Sequence, residues 1–257
     1  MVLALLLSPI LLPPILLAPV LALLNLDYTP GPQAARGQVV AAPHDGYDTY
    51  TGTMARDVSR RLDWGLVVAT GYRSYTYRHW FDVNRPTERP WQGGDFGVER
   101  VTARGRQIYA DYLDKLRRAG NVSGRLSFLV ELHGNARTVS TGHGSLSVEA
   151  IELATQGFTL AQLQRLKARY AELVQQVPPA ARIPLQIDRL DQRYAMAGYL
   201  IPFYFYASGA KDEGSLESVN TERALHFELP PAARNTLSAR SAYGRLLADL
   251  VREAAGY

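Results

Sequence analysis

Short apolar runs and helical repeats alternate along most of the chain. Three of these runs have the length and apolar character typical of buried strands: QVVAAP (38–43), GLVVATG (65–71) and LSFLVEL (126–132). Between the first two runs, residues 48–63 place apolar side chains four apart, which predicts a helix. Because a strand, a helix and a second strand in this order are typical of parallel pairing, we expect a parallel sheet here.

The rest of the chain continues this alternation. Its amphipathic and apolar segments predict three helices and three strands: helices over 100–120, 158–177 and 235–255, and strands over 184–188, 199–207 and 223–230. Residues 72–97 predict a long irregular loop, and residues 25–37 predict a linker rich in Pro and Gly. We therefore expect one α/β domain over residues 31–257, a three-layer αβα sandwich with a mixed, mostly parallel central sheet.

The N-terminal segment differs from the rest. Residues 2–24 carry no charged side chain, which predicts a signal peptide or a membrane anchor, with residues 1–30 forming that segment plus a linker. An exported or membrane-anchored protein, periplasmic or extracellular and associated with the membrane through its N-terminus, follows from this interpretation. The alternative is an apolar tail added by a misassigned start codon on a cytoplasmic protein.

Composition removes several classes of function. The net charge is +4, but the arginines are spread along the chain, so no nucleic-acid partner is expected. The chain has no cysteine, which excludes disulfides, thiol nucleophiles and metal sites built from thiolates. Any metal must be bound by His, Asp and Glu, which are ligands of catalytic zinc.

Two histidines follow apolar strands directly. His44 comes after the run 38–43 and His133 after the run 126–132, so both are expected at the carboxyl ends of strands, where α/β sheets bind ligands. Asp48 lies four residues after His44. Two imidazoles and one carboxylate form the ligand set of a catalytic zinc with one position left for water. The alternative is that each histidine is a polar cap and that the aspartate belongs to an ordinary turn.

Two glutamates occupy similar positions. Glu228 ends the strand predicted over 223–230 and would act as general base to water bound by the metal; the alternative is a solvent-facing residue. Glu131 precedes His133 by two residues, so both side chains face the same side of a strand. Glu131 would then orient His133, unless it is an ordinary charge at a strand end.

Other residues suggest how a substrate is held. Arginine binds a carboxylate through two parallel hydrogen bonds, which makes Arg85 and Arg234 candidate contacts. The expected partner is therefore a small molecule or peptide bearing a carboxylate. STGHGS (140–145) lacks the spacing of a serine nucleophile or a dinucleotide loop, and it predicts a glycine loop from which His143 reaches the substrate.

Four segments occur in one order: APHDGYDTYTG, DVNRP, VELHGN and LHFELPPAAR. In this order the chain resembles the N-formylglutamate amidohydrolase family and its relatives, which include phage-type poly-γ-glutamate hydrolases. The resemblance implies a zinc amidohydrolase with a fold related to that of the zinc carboxypeptidases.

The resemblance also assigns roles to residues. It implies that His44, Asp48 and His133 bind zinc, that Glu228 is the catalytic base and that Arg85 contacts a substrate carboxylate. Asp45 stands where the family has a small residue. It is therefore an alternative to Asp48 as the ligand, or else a neighbour of the site.

The expected reaction is the cleavage of an amide bond in an N-acyl amino acid or peptide that bears a carboxylate. The alternative is an exported, metal-free module on the same fold that binds a ligand by stacking. It would use the aromatic residues of the 72–97 loop, which are Tyr75, Trp80 and Trp91.

Overall fold

A seven-stranded sheet runs through the middle of the molecule. The structure, a computed structural model, describes residues 24–142 and 144–257, so the predicted signal or anchor segment (2–24) lies outside the described residues apart from Leu24. The strands of this sheet are β1 (Asn25–Thr29), β2 (Gln38–Asp45), β3 (Gly65–Thr70), β4 (Leu126–Gly134), β5 (Ile151–Gln156), β6 (Leu185–Ile187) and β7 (Thr221–Leu229).

The order of the strands brings three carboxyl ends together. Across the sheet the order is β1-β3-β2-β4-β7-β5-β6. The four central strands β3, β2, β4 and β7 are parallel, whereas β1 and β5 pair antiparallel with their neighbours β3 and β7. The mixed, mostly parallel sheet is confirmed, and β2, β4 and β7 end at the same edge.

Helices cover both faces of this sheet. They are α1 (Thr51–Leu62), α2 (Ala103–Ala119), α3 (Leu160–Leu173), α4 (Ser208–Glu213), α5 (Pro231–Arg234) and α6 (Leu237–Ala255). Apolar side chains of α1, α3 and α6 share one buried cluster with one face of the sheet. Those of α2 share a second cluster with the other face, which gives the three layers that were expected.

Threonine side chains define where two of the long helices begin. Thr102 accepts a hydrogen bond from the backbone of Gly105 at the start of α2. Thr159 and Gln162 form a reciprocal capping box at the start of α3. Each such cap contributes about 1 kcal/mol to stability because it satisfies a backbone N–H that the helix leaves without a partner.

Strand alternation separates apolar from polar side chains near the shared edge. In β4, Leu132 belongs to the apolar cluster with α1, α3 and α6, while Glu131 and His133 face the opposite side. In β7, His226 and Glu228 likewise alternate with apolar residues of that cluster. Four buried polar side chains therefore gather on the α2 side of the sheet.

Four segments differ from the predictions. Residues 25–29 form the edge strand β1 instead of a linker, and β5 had not been predicted. The strand predicted over 199–207 ends at Pro202. The segment 72–97 is not irregular, because its aromatic side chains pack together over short strands: Arg73–Ser74, His79–Asp82, Thr87–Glu88, Trp91–Gln92 and Asp95–Phe96.

Three further short pairings complete the described chain. Thr138–Thr141 pairs with Gly144–Ser147, and Arg193–Met196 pairs with Tyr199–Pro202. Arg100–Val101 pairs with Thr87–Glu88. Within residues 24–142 and 144–257, no helix combines the length and the apolar character needed to cross a membrane.

Candidate metal centre

A tight turn after β2 brings Asp48 back beside His44. The backbone N–H of Asp48 donates to the carbonyl of His44 over 2.9 Å. Gly46 adopts φ +91° in this turn, a conformation that costs glycine little. An irregularity between Ala42 and Asp45 gives β2 one more residue than β3 at this point, which is a β-bulge that re-aims the side chains that follow.

Three buried ligand atoms converge at the end of β2 and β4. The Nδ1 atoms of His44 and His133 lie 3.1 Å apart, and Asp48 Oδ2 lies 3.6 Å from each. Zinc bonds of about 2.0–2.2 Å in tetrahedral geometry place ligand atoms roughly 3.3–3.6 Å apart. The three residues predicted from the sequence therefore form a triangle of the size that a metal ion requires.

The electrostatics of this triangle also favour a cation. Burial and the charge of Arg73 lower the pKa of His44 to about 3. Burial would lower the pKa of His133, but hydrogen bonds to Asp48 and Glu131 raise it to about 9. Burial would likewise raise the pKa of Asp48, but its bonds to His133 and His44 hold it well below its usual range. At neutral pH His133 is therefore protonated and His44 is neutral, and a divalent cation would have to displace the extra proton of His133.

Asp45 lies apart from the ligand atoms. Its Oδ1 accepts from the backbone of Gly52 over 3.0 Å, and its Oδ2 accepts from Thr70 Oγ1 over 3.1 Å. Asp45 thereby joins the first turn of α1 to the end of β3. Because both of its oxygens are engaged there, Asp48 is the carboxylate that accompanies the two imidazoles.

Glu131 is the centre of a hydrogen-bond network beneath the metal centre. Its side chain is fully buried between β4, α2 and the segment that follows α4. Three neutral groups donate to its oxygens: Asn84 Nδ2 (3.1 Å), Tyr112 Oη (3.1 Å) and Ser215 Oγ (2.7 Å). These donors stabilise the charged form and fix the carboxylate in one orientation.

The same carboxylate contacts two histidines. Glu131 Oε2 lies 3.4 Å from His133 Nε2 and 3.2 Å from His226 Nδ1. These three residues form a second group of potential ligands. Its carboxylate is already surrounded by donors, and the imidazoles of His133 and His226 stack at 4.0 Å. The contact with Glu131 therefore fixes the His133 ring so that its Nδ1 faces His44 and Asp48, and the predicted role of Glu131 in orienting a metal ligand remains a prediction.

Glu228 stands beside the ligand triangle on the next strand. It pairs in register with His133 across β4 and β7, so the two side chains share one face of the sheet. Its Oε1 lies 3.3 Å from His226 Nε2, and the side chain is 8% exposed. Glu228 is therefore a buried carboxylate that reaches the cleft next to a predicted ligand.

Arg73 supplies a positive charge close to the ligands and had not been predicted. Its guanidinium pairs with Asp82 and lies over the rings of Trp80 (5.2 Å) and Tyr47 (5.7 Å). Burial lowers its pKa to about 10, so it stays charged at neutral pH. Its Nε has no hydrogen-bond partner among the described residues.

Asp82 connects this arginine to the metal centre. Its Oδ1 lies 3.2 Å from His44 Nε2, although the pair is not aligned as a hydrogen bond. Arg85, the predicted substrate contact, donates from Nη2 to both Asp82 (3.1 Å) and Glu99 (3.0 Å). The guanidinium of Arg85 is thus engaged by two carboxylates, even though it also lines the cleft.

Arg234 binds the backbone around the site. It donates to the carbonyls of Leu229 (3.1 Å), Asn135 (3.2 Å) and Thr49 (2.8 Å). These contacts join the ends of β4 and β7 to the turn that contains Asp48. Arg234 therefore holds together the segments around the ligand triangle, and the role predicted for it, contact with a substrate carboxylate, remains a prediction.

The ligand triangle opens into a cleft of about 720 Å³. Besides the ligands and Glu228, the residues that line this cleft include Tyr47, Arg73, Trp80, Tyr204, Phe205 and Tyr206. Tyr75 and Trp91 do not line it, since both pack against Phe96 (5.1 and 5.2 Å). The rings invoked for a stacking module mostly pack against one another, so that alternative is not favoured.

Two predicted features of the glycine loop have different outcomes. His143 lies outside the described residues. The segment around it is a hairpin whose strands are Thr138–Thr141 and Gly144–Ser147, and none of the described residues of these strands lines the cleft. The described residues of this segment therefore form a hairpin that does not line the cleft, and the contact predicted for His143 remains a prediction.

Arg73, Asp82 and Asn84 were missed as site residues. Asp82 and Asn84 belong to the segment FDVNRP, and their spacing of two would place both on one face of a short extended run. Arg73 follows the carboxyl end of β3, the edge of the sheet at which a ligand site was expected. These were the available signals, but two-residue strands carry no periodicity that identifies them.

Comparisons with known proteins complete the description of the site. No protein-family model matches the chain, and no curated protein matches it. Among the solved structures similar to it is a bacteriophage poly-gamma-glutamate hydrolase, which is 10% identical with a TM-score of 0.46 over 91% of this chain and 90% of that one. A putative metallopeptidase from Shewanella amazonensis is 13% identical with a TM-score of 0.41 over 90% of this chain and 79% of that one. A metallo-carboxypeptidase from Burkholderia cenocepacia is 15% identical with a TM-score of 0.35 over 90% of this chain and 61% of that one. At these values the similarity transfers no activity, so the function must be inferred from the site itself.

Proposed function

We propose that the protein is a zinc-dependent amidohydrolase. In this proposal it cleaves an amide bond in an N-acyl amino acid or peptide that bears a carboxylate. The observation that carries the proposal is the convergence of His44 Nδ1, His133 Nδ1 and Asp48 Oδ2 within 3.6 Å, beside Glu228 and at the bottom of an open cleft.

The donor set favours zinc over harder cations. Two imidazole nitrogens and one carboxylate oxygen suit zinc, whereas calcium and magnesium are bound mainly by oxygen ligands. Zinc bound there would polarise an amide carbonyl and lower the pKa of water.

Glu228 has the position of the general base. It accepts the proton of the attacking water and passes it to the leaving nitrogen, and both transfers require a carboxylate that faces the cleft. His226 Nε2, 3.3 Å from Glu228 Oε1, keeps this carboxylate turned toward the ligands. A fixed general base of this kind contributes roughly 10²–10⁴-fold to the rate.

The arginines support a preference for anionic substrates. Arg73 and Arg85 both line the cleft, and the charge of Arg73 lies close enough to interact with Asp48 and Glu228. A buried guanidinium at this position stabilises negative charge that develops on the carbonyl oxygen. Arg85 is engaged by Asp82 and Glu99 but also lines the cleft, and in this proposal it contacts a free carboxylate of the substrate, as in N-formylglutamate or a glutamyl peptide.

The test uses the pair of wild-type protein and Glu228→Gln, each loaded with zinc. We expect about one zinc per chain in both proteins, and a kcat that falls roughly 10²–10⁴-fold in the variant. N-formylglutamate, a poly-γ-glutamate oligomer and a panel of peptides serve as substrates, with metal content measured by atomic absorption. Wild-type protein that binds no zinc, or a variant with full turnover, would contradict the proposal.

A further inference from the structure

One wall of the cleft has no regular secondary structure of its own. It comprises residues 203–207, between the strand Tyr199–Pro202 and α4, and it presents Tyr204, Phe205 and Tyr206 to the cleft. Tyr204 is 65% exposed, so packing of its ring does not fix its place. Phe203 is buried and its N–H donates to the carbonyl of Gln192 (3.0 Å), so it fixes the start of this aromatic wall, and the position of the residues that follow depends on further backbone contacts.

Those backbone contacts go to a buried carboxylate on β5. Glu152 is 1% exposed, and its Oε2 accepts the N–H groups of Tyr204 (3.0 Å) and Phe205 (2.9 Å). Two successive amides on one charged oxygen form a strong, directional contact. Glu152 therefore holds the backbone of the aromatic wall at Tyr204 and Phe205.

The other oxygen of Glu152 is held as firmly. Tyr194 Oη donates to Oε1 over 2.7 Å, and Arg137 Nη1 donates to it over 3.1 Å. Arg137 also donates from Nη2 to the carbonyl of Pro202 (2.8 Å), and its guanidinium lies 5.1 Å from the ring of Tyr204. Arg137 thus binds the chain just before the wall, at the Pro202 carbonyl, and Glu152 binds the N–H groups within it.

Glu152 also has a fixed relation to the proposed catalytic residues. It is directly opposite Glu228 in the antiparallel pair β5–β7, and Glu228 is in register with His133 in the parallel pair β4–β7. Residues in such positions share one face of a sheet and lie about 5 Å apart. The carboxylate that anchors the wall therefore belongs to the same cross-strand row as the proposed base and a proposed ligand.

We propose that Glu152 is a positioning residue that holds the aromatic wall at a set distance from the metal centre and so determines affinity for one part of the substrate. That part is a flat or apolar group adjacent to the scissile amide, which packs on Tyr204–Tyr206. This inference rests on the proposed function for its substrate, but the anchoring of the wall does not depend on catalysis.

The experiment compares wild-type protein with Glu152→Gln, both loaded with zinc. All the groups around this side chain, on Arg137, Tyr194 and the wall, are donors that need an acceptor. The NH2 group of glutamine would face one of these sets of donors, so one set of contacts is lost. We expect hydrogen exchange over residues 203–207 to accelerate about tenfold, with exchange in β4 and β7 unchanged. We also expect the Kd for N-benzoylglutamate to rise about tenfold and that for N-acetylglutamate less than twofold, with zinc content unchanged.

A matched control and a milder variant keep the result interpretable. Like Glu152, Asp191 accepts a hydrogen bond from a backbone N–H, that of Ile187 (2.9 Å), and one from a cationic side chain, that of Lys167. Asp191 does not line the cleft. Asp191→Asn is expected to leave exchange at 203–207 and both Kd values unchanged. If Glu152→Gln fails to fold, Arg137→Lys, which keeps the charge but loses the second contact to Pro202, is expected to accelerate the same exchange severalfold.

The outcomes separate the two proposals. Exchange at 203–207 that matches wild type in the folded variant overturns the role of Glu152. Equal loss of affinity for both probes overturns the assignment of the aromatic wall to the flat group. A wild-type protein without zinc overturns the proposed function instead, and the exchange comparison still decides whether Glu152 anchors the wall.

Discussion

Two buried groups of acids and histidines share His133, and they differ in what surrounds their atoms. In the first, His133 Nδ1, His44 Nδ1 and Asp48 Oδ2 face one another at 3.1–3.6 Å. In the second, His133 Nε2 contacts Glu131, whose oxygens also accept from three neutral donors. In the first group three ligand atoms converge on one point, whereas in the second the carboxylate oxygens are already occupied by donors.

This difference distinguishes a metal centre from its support. A cation is favoured where acceptors converge with too few donors, and it is disfavoured where donors already surround the carboxylate. One imidazole serves both groups because its two nitrogens point in opposite directions. In the proposed centre Glu131 would orient the ring from one side, and the nitrogen on the other side would bind the metal.

The largest expected effect comes from His133, since it belongs to both groups. His133→Ala should remove zinc binding and hydrolysis together, because two ligands are too few for a stable site. His226→Gln is the matched control: it changes a histidine of the second group only and should retain about one zinc per chain. Metal analysis of the two purified variants measures this, and zinc retained in His133→Ala would be incompatible with the assigned centre.

The next largest effect is expected in the pH dependence of zinc affinity. The raised pKa of His133, about 9, means that its proton must leave before zinc binds, so affinity should increase about tenfold per pH unit from pH 7 to 9. A competition titration with a chromophoric chelator measures this, and a flat profile over that range would count against the assignment.

In the zinc-free protein the two histidines should affect stability in opposite directions. His133, with a raised pKa, contributes stability that is complete below pH 6.5 and is lost as pH rises through about 9. His44, with a pKa lowered to about 3, contributes stability that is complete above pH 6.5 and is lost as pH falls toward 3. Urea unfolding across this range should therefore give its maximum between the two limits.

Glu131→Gln tests the support alone. We expect zinc affinity to fall about 10–100-fold and the free energy of unfolding to fall by about 1–3 kcal/mol, because an amide group cannot accept from all of the surrounding donors. Ser215→Ala, which removes one of those donors, should cost about 1 kcal/mol and leave zinc affinity nearly unchanged. Equal zinc affinity in Glu131→Gln and wild type would show that the second group has no orienting role.

The smallest effect is expected at Asp45. Its oxygens contact Gly52 and Thr70 instead of the imidazoles, so Asp45→Asn should lower the free energy of unfolding by about 1 kcal/mol and leave zinc content unchanged. Thermal unfolding and metal analysis of this variant, beside Asp48→Asn, would discriminate between the two aspartates. Loss of zinc from Asp45→Asn alone would reverse their assignment.

Sequence reasoning placed polar residues together where they lie at the ends of predicted strands. His44, His133 and Glu228 each lie at such an end, and parallel pairing brings those ends together. It failed where structure depends on contacts between distant segments. The strand β1 pairs along only one edge and shows mostly exposed side chains, so no alternation marks it.

The arginines illustrate a second limit. Arg85 and Arg234 are chemically suited to a carboxylate, and both were predicted to bind one from the substrate. The structure gives Arg85 two internal carboxylates and gives Arg234 three backbone carbonyls. Sequence alone cannot reveal which partner a guanidinium meets, because those partners come from segments up to 185 residues away.

The extra residue in β2 reverses which side of the sheet its last side chains occupy. Val40 and Ala42 face the layer of α1, α3 and α6, and simple alternation would send His44 the same way, into apolar surroundings. The irregularity between Ala42 and Asp45 turns the imidazole to the face of the sheet on which His133 lies. Removal of a single residue from this stretch would therefore disable the centre even with every proposed ligand still present in the chain.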